Sequence, residues 1–211
     1  MDRKEYWETV YRTKRPTEVS WYQAEADLSA RLIQEAVPDH SAPIIDVGGG
    51  ASVLASQLAA AGYTNLTVLD LSGAAIAAAQ AKLGARATGI KWLEADILEA
   101  ELPSADYRLW HDRALFHFLT DPAARATYVA QVRRAVPPGG HVLVATFAED
   151  GPTRCSGLDV MRYSPAALHA EFGPGVAYVA AHREDHRTPS GTVQAFTYCL
   201  FRREESAQPD Q

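Results

Sequence analysis

The sequence predicts an α/β fold with a doubly wound, mostly parallel seven-stranded sheet, a C-terminal antiparallel hairpin and an N-terminal helical lid. From residue 43 onward, strand-like and helix-like segments alternate at the spacing of βαβ units. Three glycines follow the first of these strands, where an α/β protein turns from strand into helix. After residue 150 the alternation gives way to two long β-like runs, which are typical of an antiparallel pair at a sheet edge.

The composition is that of an ordinary globular protein. A chain of 211 residues can bury a large core, so we expect one domain over residues 1–211. The formal charge of −6 argues against a broad surface for nucleic acid. No apolar run approaches the roughly 18 residues of a membrane span. We therefore expect neither a nucleic-acid nor a membrane partner, and the oligomeric state stays open.

The cysteine content indicates the compartment. Cys155 and Cys199 are the only two cysteines, and they lie far apart in the sequence. Two distant thiols favour a reducing environment over a disulfide framework. The N-terminus is charged and aromatic, without the apolar stretch of a signal peptide. The expected location is the cytoplasm.

The five parallel strands are rich in Ile, Val, Leu and aromatic residues, and helix-like segments lie between them. The predicted strands span 43–47, 66–70, 90–93, 107–111 and 141–147, and the predicted helices span 51–61, 72–83 and 121–136. The last helix has clear boundaries. Asp121 can cap it, Pro122 suits its first position, and the Pro-Pro-Gly-Gly run over 137–140 ends it.

The C-terminal part carries a short helix and the hairpin. Ser164 and Pro165 begin the helix, and a Gly-Pro-Gly run over 173–175 ends it. Two β-like runs follow, at 176–182 and 193–202, and the polar stretch 183–192 joins them as a loop. We expect the α/β core to span 43–203 and the tail 204–211 to be disordered.

The segment before the core is helical and aromatic, and we expect it to form a lid or cap over residues 1–40. For Tyr6, Trp7 and Tyr11, an amphipathic helix packed on the sheet explains the pattern equally well. Trp21 and Tyr22 lie beside a polar turn, and we expect these two rings to contact the site.

The glycine turn carries the first functional signal. Asp46 ends the first strand, and Gly48, Gly49 and Gly50 follow it. Glycines let the backbone approach a ligand closely, although a tight connection without a ligand is the alternative. A dinucleotide-binding protein would place its pyrophosphate here, and its third glycine would fall on Val53. The Asp46 carboxylate repels phosphate and attracts a cation, which favours S-adenosylmethionine (SAM), a ligand with both an amine and a sulfonium.

Two further acids follow the next two strands. Asp70 can accept hydrogen bonds from both ribose hydroxyls, or it can cap the helix that starts near Ser72. Asp96 can accept a hydrogen bond from the adenine amino group, while Ile97 offers its backbone N–H and an apolar surface to the ring. Capping of the following segment is the alternative for Asp96. Rings such as Trp21 and Tyr22 would gain cation–π attraction to a sulfonium methyl.

The end of the fourth strand faces the transferred group, because ligands bind at the carboxyl ends of parallel strands. His111 or Asp112 could take a proton from the nucleophile, and Arg113 could orient an acidic substrate. Alternatively, His111 contributes only its backbone and Asp112 pairs with Arg113.

Other polar and aromatic positions are candidates for the acceptor pocket. Phe116 shapes either this pocket or the core, and Cys155 follows the fifth strand and can line it. His186 can reach the pocket rim from the hairpin loop. His182 and His186 have the spacing of a helical metal pair, but this region is predicted as strand and loop. No metal site is therefore expected.

The motifs together resemble the class I SAM-dependent methyltransferases over residues 43–147. The resemblance rests on Asp46-x-Gly48-x-Gly50, Asp70-Leu71-Ser72, Ala95-Asp96-Ile97, His111-Asp112 and Pro138-Gly139-Gly140. It implies a Rossmann-like fold in which the glycine turn with Asp46 surrounds the methionine end. Asp70 and Leu71 then lie at the ribose, Asp96 and Ile97 at the adenine, and His111 near the cofactor. Ser52 departs from the pattern, because the family usually has another glycine there.

The implied function is transfer of a methyl group from SAM to a small molecule or a protein side chain, with S-adenosylhomocysteine (SAH) as the product. The attacking atom must be aligned with the methyl group, and a base is needed only when the acceptor is protonated. The assignment of catalysis to His111 and Asp112 depends on that need. The alternatives are a non-catalytic SAM-binding or partner-binding module and an NAD-dependent oxidoreductase.

Overall fold

The computed structural model describes residues 2–205. Most of the predicted tail, residues 206–211, lies outside this range. The helices are α1 Arg3–Thr13, α2 Asp27–Ala36, α3 Leu54–Ala60, α4 Gly73–Leu83, α5 Pro122–Ala135 and α6 Pro165–Phe172, with 3-10 turns at Pro16–Glu18, Gly84–Gly89 and Phe116–Phe118. The strands are β1 Ile44–Val47, β2 Leu66–Asp70, β3 Ile90–Glu94, β4 Leu109–Arg113, β5 His141–Phe147, β6 Arg154–Cys155, β7 Leu158–Asp159, β8 Val176–Arg187 and β9 Val193–Arg203.

Seven strands form one sheet in the order β3-β2-β1-β4-β5-β9-β8. Strands β1 to β5 pair in parallel, and β9 runs antiparallel to both of its neighbours. The predicted fold class is confirmed. The second strand of the hairpin, β9, pairs with β5, so the first strand, β8, lies at the edge of the sheet. The strands β6 and β7 form a separate two-stranded ribbon.

Two strand boundaries differ from the prediction. The fourth strand begins at Leu109 and not at 107, because the amides of Ala105, Asp106 and Tyr107 donate to carbonyls at the end of α5. Residues 183–187 continue strand β8 and do not form a loop, because each pairs with a residue of β9. His186 therefore lies in a strand.

Side-chain caps begin four of the helices: Asp2 caps α1, and the caps of α4, α5 and α6 are the ones that the sequence suggests. Ser72 accepts a hydrogen bond from the Ala75 amide at α4, and Asp121 accepts one from Ala123 at α5. Ser164 caps α6 in the same way. Helix α3 starts three residues later than predicted, because the glycine turn extends to Val53.

The core lies on both faces of the sheet. One cluster includes Leu54, Leu58 and Ile33 from helices α2 and α3. The other includes Trp110, Tyr128 and further aromatic residues under α5 and α6. Helix α1 packs against α4, beside the carboxyl ends of the parallel strands. Within residues 2–205, no helix is both long and apolar enough to cross a bilayer.

Candidate functional site

A cleft opens at the carboxyl ends of β1 to β4, with an empty volume of about 820 Å³. We call this space the main cleft. One end, the cofactor half, is lined by Asp70, Leu71, Asp96 and Ile97. The other end, the acceptor half, is lined by the residues Trp7, Tyr11, Trp21, Arg113, Phe118 and Cys155. A smaller side pocket adjoins it across Gly48 and includes Asp46, Gly49, Ser29 and His111.

The glycine turn brings the backbone against two buried acids. Gly48 has a φ of +73°, which favours glycine. A Cβ on Gly49 would collide with the Asp46 carboxylate, and one on Gly50 would lie 2.6 Å from Asp70 Oδ2. The turn therefore needs glycine at these positions for its own packing.

Asp46 presents a buried carboxylate oxygen that no hydrogen bond satisfies. Its Oδ1 lies 2.7 Å from His111 Nδ1, while Oδ2 has no partner within residues 2–205. The side chain is 6% exposed. An unpaired buried charge is costly, so a cationic group at this position would be stabilising. This orphaned oxygen fits the ammonium group of SAM.

Asp70 is held by the backbone at the end of β2. Its Oδ2 accepts from the Gly50 amide at 3.0 Å, and its Oδ1 accepts from the Ser72 amide at 2.8 Å. Burial raises the pKa of Asp70 to about 6, although both amides oppose the shift. The contact to Ser72 supports the capping interpretation, and the position in the main cleft leaves room for a ribose contact as well.

Asp96 and Ile97 lie at the outer end of the cofactor half, where α1 crosses the cleft. Arg3 Nη2 contacts Asp96 Oδ2 at 2.6 Å, and Asp96 Oδ1 accepts from the Leu98 amide. Ile97 is buried beneath them. Asp96 thus caps the segment that follows, which was the alternative to adenine contact. It also forms an ion pair with α1, the first helix of the predicted lid.

His111 uses both ring nitrogens inside the protein. Nδ1 contacts Asp46, and Nε2 lies 2.9 Å from Ser29 Oγ on α2. The ring lines the side pocket and is nearly fully buried. This geometry does not fit a proton acceptor for a substrate, because neither nitrogen is free. It fits a residue that orients the Asp46 carboxylate.

Asp112 lies on the opposite face of β4 from His111, because side chains alternate along a strand. Its carboxylate accepts from the Tyr128 hydroxyl at 2.6 Å and from the amides of Leu115 and Phe116. Burial raises the pKa of Asp112 to about 6. The side chain is 0% exposed and does not line the cleft, so the predicted proton transfer by Asp112 is not supported.

Arg113 is at the acceptor half but is already paired. Its guanidinium donates to Glu184 at 3.1 Å, to the Tyr198 hydroxyl at 2.7 Å and to the Trp21 carbonyl at 3.2 Å. The alternative that Asp112 pairs with Arg113 is therefore wrong. The ion pair also joins the lid segment to strands β8 and β9.

The other predicted pocket residues fall in different places. Cys155 and Trp21 line the main cleft, and Tyr22 lines the side pocket. Phe116 is fully buried in the cluster under α5 and α6, so the prediction that it shapes the pocket is not supported. His186 is buried with Nε2 on the Ser20 carbonyl at 2.8 Å and does not line the cleft.

Sequence reasoning did not assign Ser29 or Arg3 to the site, whereas Phe118 was expected to shape the acceptor pocket or the core, and it lines the main cleft. Ser29 offers the clearest signal, because it is a polar residue on the buried face of α2, beside Leu32 and Ile33. Phe118 follows the fourth strand, where site residues are common. Arg3 gives no local signal, since its partner Asp96 is 93 residues away. No three His, Cys, Asp or Glu side chains between residues 2 and 205 converge as a metal site requires.

Comparison with known proteins points to one family. The family model for a methyltransferase domain matches residues 44–140. A Mycobacterium tuberculosis protein described as an uncharacterized methyltransferase is 34% identical over 116 residues, covering 55% of this chain and 56% of the relative. The chain thus matches only about half the length of that relative.

Two further proteins extend the comparison. The mouse eEF1A lysine and N-terminal methyltransferase is 24% identical over 69% of this chain and 21% of its own length. A structure of Burkholderia thailandensis 1,6-didemethyltoxoflavin-N1-methyltransferase, with its substrate and S-adenosylhomocysteine bound, covers 96% of this chain and 87% of its own. Its TM-score is 0.73 at 19% identity, which is a likeness of fold. Residues 44–140 of the chain therefore match a methyltransferase domain, and the chain as a whole has the fold of this SAH-bound methyltransferase.

Proposed function

We propose that the protein binds SAM in the main cleft and side pocket and transfers its methyl group to a small-molecule or protein side-chain nucleophile. The observation that carries the proposal is the buried, unpartnered Oδ2 of Asp46 beside the glycine turn. Asp70 and Asp96 continue the site outward along the ends of β2 and β3. The related Burkholderia enzyme holds SAH, which supports the choice of cofactor.

Each residue of the site then has a role in binding. Asp46 Oδ2 would hold the ammonium group, with His111 and Ser29 fixing the carboxylate from behind. Asp70 would accept from the ribose, beside Leu71. Asp96 and Ile97 would hold the adenine, which requires the Arg3 contact on Asp96 Oδ2 to rearrange.

When bound, SAM supplies an electrophilic methyl group on a sulfonium. The chain contributes alignment and exclusion of water, which are the main needs of an in-line displacement. We propose that residues 1–40 act as a lid, with α1 crossing the cofactor half and Trp21 closing the acceptor half. His111 is a positioning residue here, and Asp112 holds the turn after β4.

Calorimetry with SAM, SAH and NAD(H) tests the proposal. We expect micromolar binding of SAM and SAH, and at least tenfold weaker binding by Asp70→Ala, because a buried acceptor of hydrogen bonds is lost. Asp39→Ala is the matched control, since Asp39 is an exposed acid that precedes β1 at the other end of the sheet. Binding of NAD(H) without a response to SAM or SAH would overturn the proposal.

Catalysis is tested separately with methyl-labelled SAM and a fractionated cell extract. We expect label to enter a small-molecule or protein fraction. Binding of SAM without transfer to any fraction would favour the non-catalytic binding module instead.

We also propose that the protein acts in the cytoplasm. Both Cys155 and Cys199 are free and buried, which supports a reducing compartment. Cell fractionation checks this location, and recovery outside the cytosolic fraction would contradict it.

A further inference from the structure

The acceptor half of the main cleft is walled by aromatic rings. Trp7 meets Trp21 edge to face with ring centroids 5.7 Å apart, and it meets Phe118 at 5.1 Å. Tyr11 meets Trp21 at 6.3 Å. These four rings are only partly buried and line the cleft, so they offer open apolar faces and edges. Such surfaces favour a flat aromatic ligand by offset or edge-to-face packing.

The charges in the main cleft are divided unevenly. Its carboxylates in the described part of the chain, Asp70 and Asp96, both belong to the cofactor half. The acceptor half has one charged side chain, Arg113, which Glu184 neutralises at 3.1 Å. Glu184 is engaged by Arg113 and does not line the cleft, so among the described residues a cationic acceptor such as a lysine side chain would find no free carboxylate there. An anionic acceptor would have to compete with Glu184 for Arg113. The acceptor half therefore favours an uncharged ligand.

Among the described residues that line the acceptor half, no side chain is suited to take a proton near neutral pH. Burial raises the pKa of the Tyr11 phenol, and it raises the pKa of the Cys155 thiol to about 11. His117 lies close behind Phe118, but it is fully buried and burial lowers its pKa to about 3. A lysine amine, with a pKa of about 10.4, would need a base to lose its proton.

We propose that the methyl acceptor is a small, uncharged, planar aromatic compound whose attacking atom has a free lone pair, such as a pyridine-type nitrogen. This inference rests on the proposed function. The acceptor's lone pair forms the bond to the methyl carbon, and the electrons of the breaking methyl–sulfur bond stay on sulfur. The positive charge of the sulfonium passes to the methylated acceptor, where the ring faces can stabilise it. No proton has to be moved.

Binding of matched probes in the presence of saturating SAH tests the proposal. Isoquinoline is the neutral planar probe, isoquinoline-1-carboxylate is its anionic counterpart, and Nα-acetyl-lysine amide represents a protein side chain. We expect isoquinoline to bind at least tenfold tighter than the other two in calorimetry. Equal or tighter binding of the lysine amide or the carboxylate would overturn the proposal.

Two tryptophan variants locate the binding. Trp7→Leu should weaken isoquinoline binding at least tenfold, measured at an SAH concentration that saturates each variant, because Trp7 lies on the proposed lid helix and its loss can also weaken SAH binding. Trp92→Leu is the control, because Trp92 lies on the edge strand β3 and does not line the cleft. Phe118→Leu replaces Trp7→Leu if that variant does not fold. Equal isoquinoline affinity in the cleft variant and the control would overturn the proposal. Failure of SAH itself to bind would instead overturn the proposed function, so the two outcomes are distinguishable.

Discussion

Two buried aspartates on neighbouring strands illustrate how the environment sets the role of a residue. Asp46 leaves one carboxylate oxygen without a partner, whereas both oxygens of Asp112 accept hydrogen bonds. A satisfied buried carboxylate holds its neighbours in place, and an unsatisfied one attracts a cation. Asp112 therefore fixes the turn after β4, and Asp46 is the better candidate for ligand contact.

The role of Asp112 predicts a stability effect without a binding effect. Tyr128→Phe removes the hydroxyl that donates to Asp112 at 2.6 Å and accepts from Trp110 Nε1 at 2.8 Å. Two buried polar groups lose a partner, so the free energy of unfolding should fall by about 2–4 kcal/mol. Denaturant unfolding measures this change, and SAH affinity should stay within twofold of wild type. A large loss of SAH affinity in a folded variant would contradict the structural role.

The raised pKa of Asp70 predicts how SAH binding depends on pH. The ionised carboxylate is the better acceptor for ribose hydroxyls, and burial places its pKa at about 6. SAH affinity should therefore rise from pH 5 to pH 7 and then level off, with a limiting slope of about tenfold per pH unit below the pKa. Calorimetry at several pH values measures this dependence.

The Asp70→Asn variant should bind SAH more weakly, and its SAH affinity should no longer rise between pH 5 and pH 7. Asp112→Asn is the control, because Asp112 has a similar pKa but lies on the far side of β4. A rise that persists in Asp70→Asn would contradict the assignment of this acid to the ribose.

At the scale of elements, helix α1 covers the cleft and buries little of its own surface. Val10 is its buried residue. The ion pairs of Arg3 with Asp96 and of Lys4 with Glu94 join it to the end of β3. Exposed ion pairs contribute about 0–1 kcal/mol each, so the ring contacts of Trp7 with Trp21 and Phe118 hold α1 more than these pairs do, and α1 should still open more readily than the core helices.

Hydrogen exchange can follow that opening. We expect the amides of α1 to exchange much faster than those of α5, whose helix buries four residues, and to slow when SAH binds. The reason is that ligand contacts add to the few that hold α1 closed. Unchanged exchange in α1 with SAH bound would show that this helix is not a lid for the cofactor.

Ser52 stands where the resembled methyltransferases usually have a glycine, and helix α3 uses its side chain. Its Oγ accepts from the Leu54 amide at 3.0 Å, so it helps to begin α3. The side chain is exposed, beside the side pocket. The serine thus accepts from the first amide of α3, where a glycine would offer no side-chain acceptor.

At the scale of the whole molecule, the site joins segments that are distant in the chain. The lid segment, the strand ends and the hairpin meet at Arg113, which contacts Trp21, Glu184 and Tyr198. A ligand in the cleft would contact several of these parts at once. Ligand binding should therefore stabilise the fold as a unit.

SAH should raise the melting temperature of the whole protein. At 100 times the dissociation constant, binding adds about 2.7 kcal/mol. For a chain of this size the shift is roughly 5–10 °C. Asp70→Ala at the same SAH concentration should show about half the shift, since a tenfold weaker site adds about 1.4 kcal/mol. Scanning calorimetry measures the melting-temperature shift of each protein. Equal shifts in wild type and Asp70→Ala would contradict the assignment of Asp70 to the SAH site.

The sequence by itself determined the sheet, the glycine turn and the placement of three acids. Strand periodicity, caps and the run Gly48–Gly50 are local signals, and Asp46, Asp70 and Asp96 lie at or just after the carboxyl ends of three strands. Local pattern also indicated the helical segment before the core. These features depend on neighbours a few residues away, so they can be predicted without knowledge of long-range contacts.

Only the tertiary structure decided what the polar residues at the strand ends do. Ser29 reaches His111 across 82 residues, and Glu184 reaches Arg113 across 71. These contacts occupy both ring nitrogens of His111 and neutralise Arg113, while alternation along β4 turns Asp112 away from the cleft. The periodicity of apolar residues along the sequence does not predict which side chains contact each other between distant segments. The positions of the acids proposed to bind the cofactor were therefore predictable from the sequence, whereas the contacts around the acceptor half became visible only when the lid segment, β4 and the hairpin were assembled.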